Sequence, residues 1–417
     1  MTREKATRRH RSLAGMLAAA ALLAPAASGS AQDAKLPAPS GVEVRVRVMS
    51  GGLFQDDLKL GDFSLLEDGR SQKITSLSLV RGGGLARFEG DGTVAPRLDR
   101  SYVLLFQAVD WDPKLVQAID YLFESILQPG DAMTLVTPFK PYQLQKDALA
   151  LKSKKELKAG FEEVLRKDIA RGSGEYRDLI NDLKRLTRAI AGGADTFDED
   201  LETDPTTETG GGIGLEMQID RYRTTLMKLD GLRLVDEDKL VAFAGSLKAL
   251  PGQKTVVFFY QREYRPEISS AAMNRLMALY QENFDILQNL MELFQFYKRE
   301  NRFNADRVKR AFADAAIDFH FIFMEKKSQR VFGANMREQS EDIFPGFVEV
   351  ARATSGTAES AQNAAAAFRH AADASNEYYI LTYVPDIPTT GGGFRTIEVR
   401  AGRPGSAVSS RLGYFAK

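Results

Sequence analysis

The sequence predicts an α/β protein: a doubly wound, mostly parallel sheet with helical insertions, joined to a small β-sandwich-like module formed by the N- and C-terminal segments. Three observations predict it. Residues 102–106, 255–260 and 317–324 are near-continuous apolar runs, the pattern of strands buried on both faces. Stretches of helical periodicity separate these runs, as the strand–helix–strand units of a parallel sheet require. At the start of the chain, Val42, Val44, Val46 and Val48 alternate with Glu43, Arg45 and Arg47, which marks a half-buried strand of a different kind.

Taken in order, residues 1–31 read as a secretory signal. Arg3, Lys5, Arg8, Arg9 and Arg11 precede an Ala/Leu-rich apolar stretch at 13–27, and Gly29-Ser30-Ala31 supplies a small-residue site that places cleavage after Ala31. The apolar stretch is shorter than the ~20 residues that span a bilayer. Arg8-Arg9 ahead of Leu13 suits a twin-arginine route, but paired arginines are common in leaders, so the Sec route stays open. Export to the periplasm or beyond the cell is expected, with no transmembrane segment after cleavage. Five cations against Glu4 give residues 1–31 a charge of +4, and the formal total of zero leaves the rest at −4. Such a chain exerts no electrostatic pull on nucleic acid. The chain has no Cys, which excludes disulfides, thiolate catalysis and Cys-held metals.

Residues 32–40 form a linker, and residues 41–95 form the first part of the β module, with strands at 63–66 and 74–80 around the Glu67-Asp68-Gly69 turn. From 100 to 375 the texture is α/β. Asp112-Pro113 opens a helix, as cap and first residue, and Pro129-Gly130-Asp131 closes it before a strand at 132–136. Helical insertions are expected at about 146–245 and 266–314. Within the first, residues 192–214 are acidic and Gly/Thr-rich and read as a mobile loop whose carboxylates match no calcium-loop spacing. Residues 358–374 read as an Ala-rich helix. Residues 376–417 return to β texture and complete the module, since neither end has enough strands to be stable alone.

Several of these segments resemble one family. Residues 62–69 with Gln72-Lys73-Ile74, the run at 102–106, Gly252-Gln253-Lys254 before 255–260, Thr354-Ser355-Gly356, residues 378–385 and the ending Arg411-Leu412-Gly413-Tyr414 are similar, in that order, to bacterial VWFA-related domain proteins. The resemblance implies a von Willebrand factor A-like fold. It also implies a metal site at the carboxyl ends of the strands, with an Asp-x-Ser-x-Ser loop after the first strand and an Asp after the central one, because a hard cation takes oxygen ligands. This chain departs from that pattern. Gln107 stands in place of the Asp, Val109 and Trp111 in place of the serines, and Gln261 follows the central strand. The resemblance therefore implies a degenerate metal site and no cofactor. Asp110 and Asp112 are the only candidates for a shifted site, against a plainer reading as turn residue and helix cap.

No catalytic constellation stands out. His320 lies among Phe319, Phe321 and Phe323 and reads as a satisfied strand histidine, while His370 reads as a surface residue. There is no Gly-x-Ser-x-Gly, no zinc-spaced His pair and no phosphate loop. The apolar helix within 269–314 is different. Its Met and aromatic residues cover more than one face, and Met277, Tyr280, Phe284, Phe294 and Tyr297 are candidates for contact with a protein partner; internal packing of the helical stretches is the alternative. The expectation is an exported, non-enzymatic protein-binding or scaffolding protein. An envelope hydrolase with an unrecognised carboxylate pair is the alternative, and it requires two facing acids with a raised carboxyl pKa.

Overall fold

The computed structural model describes residues 41–90, 96–192, 208–300, 302–386 and 392–416, with side chains omitted at 208–213. The expected signal, the linker, His10 and residues 193–207 of the acidic segment lie outside the described residues. The end of that segment, read as loop, is helical from Glu208 onward.

The chain enters through β1 (Val42–Ser50), β2 (Leu53–Phe54), β3 (Phe63–Glu67), β4 (Arg70–Gln72), β5 (Ile74–Arg81) and β6 (Gly84–Gly90). It then forms β7 (Arg100–Gln107), α1 (Leu115–Tyr121, running on into a π turn), β8 (Ala132–Val136) and β9 (Pro141–Leu144). A one-turn helix at Ala148–Leu151 and four longer helices follow: α2 (Lys154–Gly172), α3 (Gly174–Gly192), α4 (Glu208–Arg233) and α5 (Glu237–Lys248). After them come β10 (Gln253–Gln261), β11 (Tyr264–Ile268), α6 (Ser270–Leu279), α7 (Phe284–Tyr297), α8 (Ala305–Asp314), β12 (Ile317–Met324) and β13 (Ala334–Glu338). The chain closes with α9 (Phe344–Ala353), β14 (Ala358–Ala361), α10 (Ala364–Asn376), β15 (Glu377–Tyr383), β16 (Phe394–Ala401), β17 (Ala407–Ser410) and β18 (Gly413–Phe415).

The expected fold class, a von Willebrand A-like doubly wound parallel sheet with a small sandwich-like appendage, is corrected by this topology. The molecule is mixed α/β with mostly antiparallel pairing. Of its four sheets among the described residues, three are antiparallel and one is mixed. Only β7, β8, β10, β12 and β14 run parallel to a neighbour. The antiparallel sheets β17-β1-β15-β5-β6 and β18-β16-β3-β4 curl around a core of Val44, Val46, Val48, Leu65, Leu77, Tyr379 and Tyr383. Continuous apolar runs dominate the sequence pattern because burial on both faces dictates every side chain in them. Half-exposed strands such as β4 and β17 carry one apolar residue or none on the buried phase and signal weakly.

Long-range pairing closes the antiparallel half-barrel. Val44 faces Leu381, Val46 faces Ser410, and Val399 faces Leu65. Residues some 300 positions apart are thereby ladder neighbours, and the even phase of β1 buries its valines while Arg45 and Arg47 stay half-buried on the other phase. The mixed sheet, ordered β14-β12-β10-β7-β8-β9, has apolar layers on both faces. One layer seats α1, α2 and α10 through Ile119, Leu165 and Phe368; the other seats α5, α8 and α9 through Phe243, Phe312 and Phe347. At its amino edge Arg100 donates to both carboxylate oxygens of Asp131 (2.9 and 2.6 Å), and both residues are buried. This gives the Pro-Gly-Asp turn a structural task, because a bidentate buried pair fixes β7 against β8. Gly356 is needed where it stands: a Cβ there would lie 1.8 Å from the Phe319 carbonyl oxygen. Among the described residues no helix is long and apolar enough to cross a membrane.

Candidate functional site

The carboxyl ends of the parallel strands are the natural place to seek a ligand, because strand order reverses between β7 and β10 and opens a crevice there. Gln107 ends β7 and pairs with Tyr260, so Gln107 and Gln261 share this rim. The crevice is closed by Gln261 itself. Its side chain is buried, and its Oε1 accepts hydrogen bonds from the backbone N–H of Val109 and of Asp110, both at 2.9 Å. Where two N–H groups converge, a neutral amide oxygen satisfies them without bringing a charge into the interior. Val109 is buried, and its carbonyl accepts from Ser173 Oγ at 2.8 Å. Trp111 packs half-buried against the α1 face of the core.

The two carboxylates of this loop are engaged elsewhere. Asp110 pairs with Lys326 at 2.6 Å, and Asp112 Oδ1 accepts from Lys114 N at 2.9 Å in the turn that starts α1. Among the described residues no three His, Asp or Glu side chains are grouped to hold a metal ion.

A second layer covers this edge. The β11–β13 ribbon and α3 lie over it; Ser173, just before α3, makes the bond to Val109, and Tyr176 donates to the Tyr264 carbonyl at 3.5 Å. Arg262 extends from the end of β10 to Glu338 of β13 (2.6 Å) and to Ser360 Oγ of β14 (2.8 Å). Behind it, buried Arg233 bonds Glu263 (2.9 Å) and Asp342 (3.0 Å). What remains open is a crevice of about 170 Å³ beside Asp110, Lys184 and Lys326. Burial, and then the neighbouring Lys326, lower the pKa of Lys184.

The ribbon, α3, α4, α6 and α7 share a separate apolar core, including Leu183, Tyr222, Leu276, Leu290 and Leu293. Tyr297 belongs to that core: its hydroxyl shares a hydrogen with Tyr222 at 2.9 Å and accepts from Ile268 N at 3.2 Å. Met277 and Tyr280 are half-buried against the same cluster. Phe284 and Phe294 face outward, 76% and 41% exposed, and Met291, another residue of the same helix, is 55% exposed. With half-buried Leu287, these lie at i, i+3, i+7 and i+10, one stripe of α7 flanking its packed face. The apolar residues of α7 cover more than one face; which of them remain outside depends on where α4 and α6 dock.

His320 is buried and neutral. Thr357 N donates to Nδ1 at 3.2 Å, so Nε2 carries the proton and points to Ser375 Oγ at 3.1 Å. Burial, with a smaller push from Arg47, lowers its pKa to about 3. His370 is exposed and 3.2 Å from Glu359. The carboxyls raised by burial are Asp230 and Asp318; each faces arginine, Arg265 at 3.7 Å and Arg45 at 3.5 Å respectively.

Compared with known proteins, the chain matches no family model, no curated protein and no solved structure. The family resemblance therefore rests on its short motifs alone.

Proposed function

We propose that this chain is an exported, non-enzymatic binding or scaffolding protein of the cell envelope or exterior, which holds a protein partner on the outward stripe of α7 and needs neither metal nor nucleic acid. The observation that carries the reading is the stripe itself. Four neighbouring apolar side chains on a well-packed helix leave apolar area in water, and burying it against another protein is favourable at roughly 25 cal/mol per Å². The carboxyl edge supports the same reading, since Gln261 and the β11–β13 ribbon cover it and leave beside it a crevice of only about 170 Å³.

The partner is one that presents a complementary apolar face. The test is photo-crosslinking from position 284 in cells, followed by sedimentation of the purified chain, with Met291→Ser/Phe294→Ser as the comparison. The expected result is one dominant adduct, unaffected by chelator and lost in the double variant, on a chain whose amino terminus is Gln32. A second copy of this chain as the adduct would make the stripe a self-assembly surface. Identical adducts in the wild type and the variant would end the proposal.

A further inference from the structure

The amino edge of the mixed sheet is open where the carboxyl edge is shut. A cavity of about 730 Å³ lies between the starts of β10 and β12, the half-barrel strands β1 and β15, and the chain end around β18. Its lining contains five cations, Arg45, Arg97, Lys248, Lys254 and Arg411, against three carboxylates, Glu43, Asp314 and Asp318. Two of the cations are spoken for: Lys248 pairs with Asp314 at 2.5 Å, and Arg45 lies 3.5 Å from Asp318, which also accepts from Gln253 at 3.3 Å.

Lys254 and Arg411 have no carboxylate partner. Lys254 is buried and donates only to the Leu250 carbonyl at 3.1 Å. Arg411 donates to the Glu43 carbonyl at 2.8 Å, while its Nε is buried with no hydrogen-bond partner. Burial, then the nearby Arg45, pull the Lys254 ammonium down to about 8, with Asp318 and Glu43 offsetting this only in part. The apolar part of the wall is Val42, Ile380, Val384, Pro385, Tyr414 and Phe415, beside polar Gln253, Ser355 and Tyr378. The other large cavity, about 690 Å³ around Arg302 and Glu341, has no such surplus of positive charge.

We propose that this cavity binds a small phosphomonoester with an apolar body, its dianionic head held by Lys254 and Arg411 and its body lying on the Tyr414–Phe415 side. A dianion matches the surplus of two cations and completes the donors of Arg411, the geometry in which guanidinium favours phosphate. The site is independent of the α7 stripe, so either proposal can fail without the other.

The probe is phenyl phosphate, titrated calorimetrically into the full chain, with inorganic phosphate and benzyl alcohol as companions and Arg185→Met as an outside control. Saturable one-to-one binding is expected. It should weaken about tenfold or more in Lys254→Met and in Arg411→Met, the worth of a bond to a charged group, and stay unchanged in the control. Circular dichroism checks the fold, and Lys254→Met decides if Arg411→Met does not fold. No saturation by about 10 mM, equal affinity in Lys254→Met, or benzyl alcohol binding as tightly would each overturn the proposal. Inorganic phosphate binding as tightly as phenyl phosphate would overturn the role of the apolar wall.

Discussion

The Gln261 amide is the most exact test of how the carboxyl edge is built. Gln261→Met keeps the length and volume of the side chain but removes the oxygen that accepts from Val109 N and Asp110 N. Val109 is 4% exposed, so its N–H is left without a partner, at a cost of about 1–3 kcal/mol. Asp110 is exposed and its N–H can turn to water, adding a further ~0.5–1 kcal/mol. The expected destabilisation is about 2–3 kcal/mol, read from the urea midpoint at unchanged m-value. Hydrogen exchange gives an independent local readout: amides in the segment following β7 should exchange faster, while those of β12 should not. A variant within about 0.5 kcal/mol of the wild type, the scatter of ordinary surface changes, with unaltered exchange at Val109, would refute the reasoning. The loop would then be held by Ser173 and the ribbon, not by the amide.

Three further outcomes follow from buried groups. His320 has a folded pKa near 3 against an unfolded value of 6.5; the unfolded chain thus binds the extra proton between these limits, and stability falls as pH drops through that window. At pH 5 the loss is about 2 kcal/mol, so the difference in stability between pH 7.5 and pH 5 should shrink by that amount in His320→Asn. Asp131→Ala strands the Arg100 guanidinium, 5% exposed, and should cost about 3–5 kcal/mol in urea unfolding. Gly356→Ala places a methyl against the Phe319 carbonyl and should cost about 3 kcal/mol or prevent soluble expression; a Tm equal to the wild type would show that the 354–356 turn relaxes freely.

Parts of this architecture are legible in the chain and parts are not, for physical reasons. The valines of β1 and the apolar runs of β7, β10 and β12 announce themselves because burial on one or both faces dictates every side chain. Helix breaks within 269–314 were also written there, in Asn283 and Asn304, whose side chains accept from Ile286 N and Asp306 N as caps. Residues 358–361 misled, since Ala favours helix in isolation, yet pairing with Phe321 to Met324 makes them the edge strand β14. The β11–β13 ribbon left no alternation to read, with Pro266 in one strand and Asn335-Met336-Arg337 in the other. The fold class failed at a higher level: strand count and direction depend on pairings between residues 300 apart, which no local pattern encodes.

The same dependence on long-range pairing hides the amino-edge cavity from the sequence. Arg45 and Arg47 occupy the polar phase of an alternating strand, which in isolation means water. In the folded chain that phase of β1 faces the amino edge of the mixed sheet, where Arg45 meets Asp318 and Arg47 donates to the Glu377 carbonyl. Arg411 comes from the opposite chain terminus and reaches the same space only because β17 pairs with β1. The surplus positive charge is therefore created by closure of the half-barrel and is absent from either terminal segment alone. If a phosphomonoester fills the cavity, its binding energy is added to the pairing of the two chain ends. Phenyl phosphate should then raise the Tm of the wild type and leave that of Lys254→Met nearly unmoved, a coupling that a passive surface cation would not produce.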